Sequence, residues 1–195
     1  SITYKTGDFP WFVAESRTLW PLVVIDSHGR SYSIRVAELP GGRGDGAPLN
    51  TLIDFQAGGK LAQALTAAPE EKYLVASSGG YGFITSVGEM TARNKAGKAF
   101  LTLEKDEMPL LSGKVGADGT ASLSVAALSR NGRLLLFALS ELKEMAKGRG
   151  LMLIDLGKAD ALAGIAVIGK EPLVIQGTGR AGKETQAVLD AKAQT

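Results

Sequence analysis

His28-Gly29-Arg30-Ser31-Tyr32, Gly79-Gly80-Tyr81-Gly82-Phe83 and Asn131-Gly132-Arg133-Leu134-Leu135 are three versions of one phrase. Gly29 and Gly80 lie 51 residues apart, and Gly80 and Gly132 lie 52 apart. An apolar run precedes each phrase: Leu22-Val23-Val24-Ile25, Tyr73-Leu74-Val75-Ala76 and Ser124-Val125-Ala126-Ala127-Leu128. A second apolar step begins seven residues after each turn glycine, as Val36-Ala37-Glu38-Leu39, Val87-Gly88-Glu89-Met90 and Leu139-Ser140-Glu141-Leu142. A glycine loop with Lys or Arg then follows, around Arg43-Gly44, Lys95-Ala96-Gly97-Lys98 and Lys147-Gly148-Arg149. A fixed period of this size means modules that stack or are set around an axis.

Each module is predicted to be β-rich. Asn131-Gly132 is a strong two-residue hairpin signal, because both turn positions need positive φ. His28-Gly29 and Gly79-Gly80 occupy the same place. Return strands are predicted over Tyr32 to Val36, Phe83 to Val87 and Leu135 to Leu139, and further apolar runs over Leu49 to Phe55, Phe100 to Leu103 and Leu151 to Leu156. Asp118-Gly119 and Gly58-Gly59 supply turns near the joins. Lys60 to Ala67 reads as a brief helix, and Ser140 to Ala146 as a loop turn. The expectation is an all-β, antiparallel fold in one repeat domain spanning 1–195. A partial unit covers about 1–21, repeats cover about 22–72, 73–123 and 124–172, and a last partial unit covers 173–195.

The chain has 195 residues, 45% of them hydrophobic, which supports one real core and is too little for two large domains. There is no cysteine, hence no disulfide framework and no thiolate metal site. Intracellular reducing conditions fit that usage. No apolar run reaches the length of a membrane span, and the first residues lack a signal-peptide pattern. The formal net charge is only +2, so the placement of charge carries more information than its sum.

Several motifs resemble active sites and dissolve on inspection. Gly177-Thr178-Gly179-Arg180-Ala181-Gly182-Lys183-Glu184 nearly spells a phosphate loop. Its last position should be Ser or Thr, and Glu184 would repel phosphate. Both the phosphate loop and the dinucleotide fingerprint also need a helix to follow. Arg43-Gly44-Asp45 falls in the repeat's own glycine loop, and Ser140 with Lys143 has nucleophile spacing without counterparts in the other repeats. His28 is the only histidine and sits in a turn. No catalytic residue, metal site or resident cofactor is therefore predicted.

The recurring cations are the better signal. Arg30 and Arg133 follow turn glycines; Arg43, Lys98 and Arg149 sit beside loop glycines, with Arg93, Lys95 and Lys147 close by and Arg180 and Lys183 in the last glycine-rich stretch. Glycine lets backbone N–H groups approach an anion, and neighbouring Lys or Arg adds charge. Placed on the rim of a disc, these ten residues would suit the phosphates of bent duplex DNA. Solvated loops that use Lys for solubility explain the same composition.

Arg93-Asn94-Lys95-Ala96-Gly97-Lys98-Ala99 resembles a degraded gyrase box, Gln-Arg-Arg-Gly-Gly-Lys-Gly. Leu39-Pro40-Gly41-Gly42-Arg43-Gly44-Asp45-Gly46 and Met145-Ala146-Lys147-Gly148-Arg149-Gly150 resemble the same loop in other blades. With Ile25 to Tyr32 and Ala76 to Phe83, these stretches resemble the C-terminal domains of bacterial topoisomerase IV A subunits, within the gyrase A-like family of type IIA topoisomerases. The likeness runs from about Tyr4 to Arg180.

The resemblance implies a β-pinwheel, a propeller-like disc of four-stranded blades, often open rather than closed, with strands shared between neighbouring blades and an outer rim that binds and bends duplex DNA. It implies a parent A subunit that dimerises and works with an ATPase B subunit, using ATP and Mg, on decatenation and supercoil relaxation in chromosome segregation. A bacterial condensin is a further implied partner, and the implied location is cytoplasmic, at the nucleoid, with the parent enzyme peripheral to the inner membrane. The family's cleaving tyrosine belongs to another region, and none of Tyr4, Tyr32, Tyr73 or Tyr81 lies in its motif. The box departs from the full pattern at Asn94, Lys95 and Ala99, which favours topoisomerase IV over gyrase. A gyrase A domain and a propeller that only docks proteins stay open as alternatives.

Overall fold

A computed structural model describes residues 6–7, 9–42, 46–115, 123–169, 173–178 and 184–189. Thirteen strands are present among them. The first group is β1 (Pro21–Asp26), β2 (Arg30–Arg35) and β3 (Leu61–Thr66). The second is β4 (Lys72–Ser77), β5 (Tyr81–Ser86), β6 (Lys98–Ala99) and β7 (Pro109–Val115). The third is β8 (Ser124–Ser129), β9 (Leu134–Ala138), β10 (Leu151–Met152) and β11 (Leu162–Ile168). A last hairpin joins β12 (Leu173–Thr178) to β13 (Glu184–Leu189). The only α-helix among the described residues is the single turn α1 (Val87–Met90). The fold is all-β and antiparallel, as the repeat pattern predicts.

The sheets do not follow the repeats. They run β3-β1-β2-β6, β10-β5-β4-β7 and β11-β8-β9, with β12-β13 apart. The second repeat thus supplies β6 to the first sheet, and the third supplies β10 to the second. Arg30 pairs with Ala99 and Ser31 with Lys98; Gly82 pairs with Leu151 and Tyr81 with Met152.

The hairpin phrase is held by local chemistry. Asp26 is fully buried at the end of β1, and its Oδ1 accepts the amides of His28 and Arg30, both at 2.9 Å. Its Oδ2 accepts the Tyr32 hydroxyl at 2.8 Å. Burial, then the bond to Asp26, pushes the Tyr32 phenol above its ordinary range. Ser129 does a similar job in the third repeat, where its Oγ accepts the Arg133 amide. A buried donor left unpaired would cost on the order of 1–3 kcal/mol, so the turn is tightly specified.

Alternation along β1 splits its side chains between two cores. Val23 and Ile25 pack with Val75, Phe83, Met90 and Phe100 of the second repeat. Val24 turns the other way, onto Tyr32, Ile34 and Ile53. Leu74 and Ile84 in turn meet Val125 and Leu139 of the third repeat. The first sheet therefore buries one face against the second, and the second against the third, as repeat modules must.

Three expectations are corrected. Lys60 to Ala67 is the strand β3, not a helix: pairing with β1 overrides the alanine-rich local preference. Leu49 to Phe55 is no strand; a 3-10 turn at Leu49–Thr51 tucks Ile53 under the first sheet. The Leu151 run reduces to the two-residue strand β10, and the strand near Phe100 lies just before that residue, as β6; Phe100, Leu101, Leu153 and Ile154 are buried in the core instead. The Asp118-Gly119 turn lies outside the described residues.

Candidate nucleic-acid interface

Two opposite sheet edges have different surroundings. β3 touches β7, and β7 touches β11, so these edges meet one another; Gln63 of β3 also donates to the Pro109 carbonyl of β7 at 3.1 Å. The opposite edge carries the borrowed strands β6 and β10. The glycine–cation loops lead directly into those strands, and the cations accordingly sit along the outer edge.

The loops are pinned before any ligand arrives. Ser33 Oγ both donates to the Ala92 carbonyl and accepts the Ala92 amide. Gly97 has φ +64°, and a Cβ there would lie 2.6 Å from the Tyr32 ring. Gly150 repeats this at φ +84°, pressed onto the backbone of Gly82. Gly148 donates to the Phe100 carbonyl at 2.8 Å, and Thr102 donates to the Gly148 carbonyl at 2.9 Å. The third repeat's loop thus runs beside residues 100–102, next to Lys98.

Arg93, Lys95 and Lys147 are exposed and Lys98 is half-buried. Lys95 reaches the Thr51 carbonyl only at 3.5 Å, and Lys98 Nζ donates to the Glu89 carbonyl. Three of these come from the second repeat's loop and Lys147 from the third's, and Lys147 stands near enough to Lys98 to act on its charge. Lys143, absent from the predicted set of cations, is also exposed, beside the Glu144 contact with β5. Its position is set by the long-range bridge between Ile84 and Glu144, which no local pattern announces.

The other predicted cations among the described residues are engaged. Arg30 Nη2 donates to the carbonyls of Ala96 and Gly97 at 2.9 and 3.1 Å, clamping the second repeat's loop. Arg133 donates to the Asp155 carbonyl at 2.9 Å but stays exposed. Arg149 stacks on Tyr81, 4.3 Å from the ring centre, and pairs with Glu104 at 2.9 Å and Glu107 at 3.0 Å. Arg43, Arg180 and Lys183 lie outside the described residues.

Lys98 and Arg149, which both sit beside loop glycines, do not occupy equivalent positions. Strand pairing aligns Gly97 with Gly150, so Lys98 matches Leu151 and Arg149 matches Ala96. Gly46, at φ +74° and 51 residues before Gly97, is the better first-repeat counterpart than Gly44. Matching loops by composition slid them by two residues because glycines occur at alternate positions there.

The Lys98 ammonium is held below its ordinary range. Its pKa is lowered from 10.5, chiefly by burial and also by Lys147, against an opposing pull from Glu89. A charged group held below its unfolded pKa opposes folding while charged. Its penalty should therefore fade as pH rises through the folded value towards 10.5. A side-chain NMR titration of Lys98 should show its midpoint below 10.5, and Lys147→Gln should move that midpoint upward. No upward movement would place the two ammonium groups apart.

No described helix is long enough to enter a groove as a recognition helix does. Among the described residues no group of three His, Asp or Glu side chains could hold a metal. No described helix is long and apolar enough to cross a membrane. Gly177 and Thr178 end β12 and Glu184 starts β13, so the motif of the phosphate loop is followed by a strand rather than the helix it needs.

Comparison with known proteins agrees with this architecture. A family model described as DNA gyrase C-terminal domain, beta-propeller, matches residues 71–108 and 124–168. The A subunit of DNA topoisomerase 4 from Neisseria gonorrhoeae is 45% identical over 157 residues, covering 79% of this chain and 20% of that protein. Its Escherichia coli K12 counterpart is 34% identical over 165 residues, covering 84% of this chain and 21% of that protein. The chain thus spans about a fifth of the length of these curated relatives. The solved C-terminal domain of Escherichia coli ParC superposes with a TM-score of 0.83 at 29% identity, covering 99% of this chain and 78% of that one. A gyrase A C-terminal domain superposes at 0.67 with 14% identity over 90% of this chain and 56% of that one, a likeness of fold alone.

Proposed function

This chain belongs to the gyrase A-like family of C-terminal domains, in the branch carried by topoisomerase IV A subunits, and from that premise we propose that it binds and bends duplex DNA without catalysing any step. The observation that carries this reading is the set of cations on the loops beside the borrowed strands, Arg93, Lys95 and Lys98 from one repeat and Lys147 from the next, with Lys98 and Lys147 close enough to interact. Two successive repeats contribute to it, so a duplex lying along it would follow the turn from blade to blade. Phosphate contacts of this kind position DNA without sequence preference. Within the parent enzyme, located at the nucleoid and completed by an ATPase B subunit, the domain would guide capture of DNA crossings. Decatenation and relaxation of supercoils would then use ATP and Mg held elsewhere in the holoenzyme. Bond-making belongs to other regions, and positioning is what this domain would add.

Titration of the isolated domain with plain duplex at a series of salt concentrations tests the reading. Neutralising about three to six phosphates gives a slope of log affinity against log salt of roughly −3 to −5. A flat response, or strong preference for one sequence, would overturn it and leave a disc that docks proteins.

A further inference from the structure

We propose that Arg149 is a positioning residue: it clamps the third repeat's loop onto the second sheet so that Lys147 faces the DNA track. The inference rests on the DNA-binding reading above and gives Arg149 a different task from the phosphate contact its sequence context suggests.

The geometry leaves little of Arg149 free. Its guanidinium lies 4.3 Å from the Tyr81 ring centre, one Nη meets Glu104 and the other meets Glu107. The side chain is 24% exposed, and the Glu107 side chain only 11%. Gly79 makes room for that carboxylate, since any Cβ at residue 79 would overlap it. A guanidinium stacked on one face and paired along its edge is spent as a phosphate ligand, because binding an anion would first require breaking two ion pairs.

The clamp also has a counterpart. Tyr81 follows turn glycine Gly80 as Arg30 follows Gly29, and Arg149 aligns with Ala96 in the borrowed-strand register. Arg30 grips the carbonyls of Ala96 and Gly97; Tyr81 is gripped by Arg149. The same two positions touch in both junctions, with the cation moved from the hairpin to the loop. A contact kept while its chemistry is exchanged argues that holding the loop is the shared task. In both cases lysines stand a few residues away, Lys95 and Lys98 in one loop and Lys147 in the other.

Tyr81→Leu separates the two roles, because it changes no charge. If Arg149 positions the loop, Tyr81→Leu weakens duplex binding by about five- to tenfold, the scale of one cation–π contact. Arg149→Lys weakens it similarly despite keeping its charge, since an ammonium cannot stack and pair with two carboxylates at once. Tyr81→Phe, which keeps the ring, binds as the unmodified domain does. Hydrogen exchange of the Gly148 amide, bonded to the Phe100 carbonyl, accelerates in Tyr81→Leu and Arg149→Lys but not in Tyr81→Phe. If Arg149 instead binds phosphate, Tyr81→Leu frees it and tightens binding, and Arg149→Lys retains most affinity; either result overturns the proposal. Unchanged Gly148 exchange in Tyr81→Leu overturns it as well. If the unmodified domain fails to bind duplex at all, the DNA reading falls, and the exchange measurement alone decides the clamp.

Discussion

Gly150→Ala should lower the stability of the domain by about 4 kcal/mol or more, whereas Gly132→Ala should cost about 1–2 kcal/mol. The two residues have nearly the same backbone angle, φ +84° and +83°. A left-handed conformation penalises any Cβ by about 1–2 kcal/mol, and this part is common to both. Their surroundings differ. A Cβ on Gly132 would meet nothing within 4 Å, while one on Gly150 would overlap the Gly82 carbonyl group and stand 2.9 Å from the Gly82 Cα. Backbone cannot move aside as a side-chain tip can, so β10 must lift from β5 and Leu153 and Ile154 must leave the core. Urea unfolding of both variants, with each midpoint compared at constant m-value, measures the difference. Equal losses would mean that the borrowed strand contributes nothing beyond its backbone angle.

The second large effect is on DNA. Replacing Arg93, Lys95, Lys98 and Lys147 together with Gln should flatten the salt dependence by about 3 to 4 units, since each lost phosphate contact removes about 0.9. At about 0.1 M salt that corresponds to roughly three to four orders of magnitude in affinity. Three of these side chains are exposed and the fourth makes one bond to a carbonyl, so folding should be nearly unaffected. The control replaces Lys60, Lys105 and Lys158, which stand on other turns, and should change the slope little. A control as damaging as the fourfold replacement would show that net charge, rather than position, attracts the duplex.

The hairpins were legible because their signals are local. Each turn glycine, with apolar runs on both sides, appears at the expected place, and β1, β2, β4, β5, β8 and β9 follow. Strand borrowing was implied by the family resemblance but not by the local pattern: the residues that close a sheet lie some 70 positions from their partners, as Arg30 and Ala99 do. The site was half legible. Lys, Arg and Gly in the loops marked the region, but composition could not separate exposed Lys147 from buried-edge Arg149. Only the arrival of Tyr81, Glu104 and Glu107 around one guanidinium makes that distinction. The resemblance to known domains located the right loop and said nothing of which cation is engaged.

Borrowed strands also set how the domain can be cut and rejoined. The stretch that repeats in the chain and the sheet that forms in space are offset, so β6 and its cations belong to one by sequence and to its predecessor by pairing. A repeat transplanted from a relative at its sequence borders would bring a new grip to the blade before it and keep the old grip on itself. Any continuous stretch that carries a whole sheet with its closing edge, such as β1 to β6, also carries the next hairpin, β4–β5, so one sheet cannot be exchanged alone. Divergence in these domains should accordingly be correlated between the hairpin of one repeat and the loop of the next, as Arg30 with Ala96 and Tyr81 with Arg149 already illustrate.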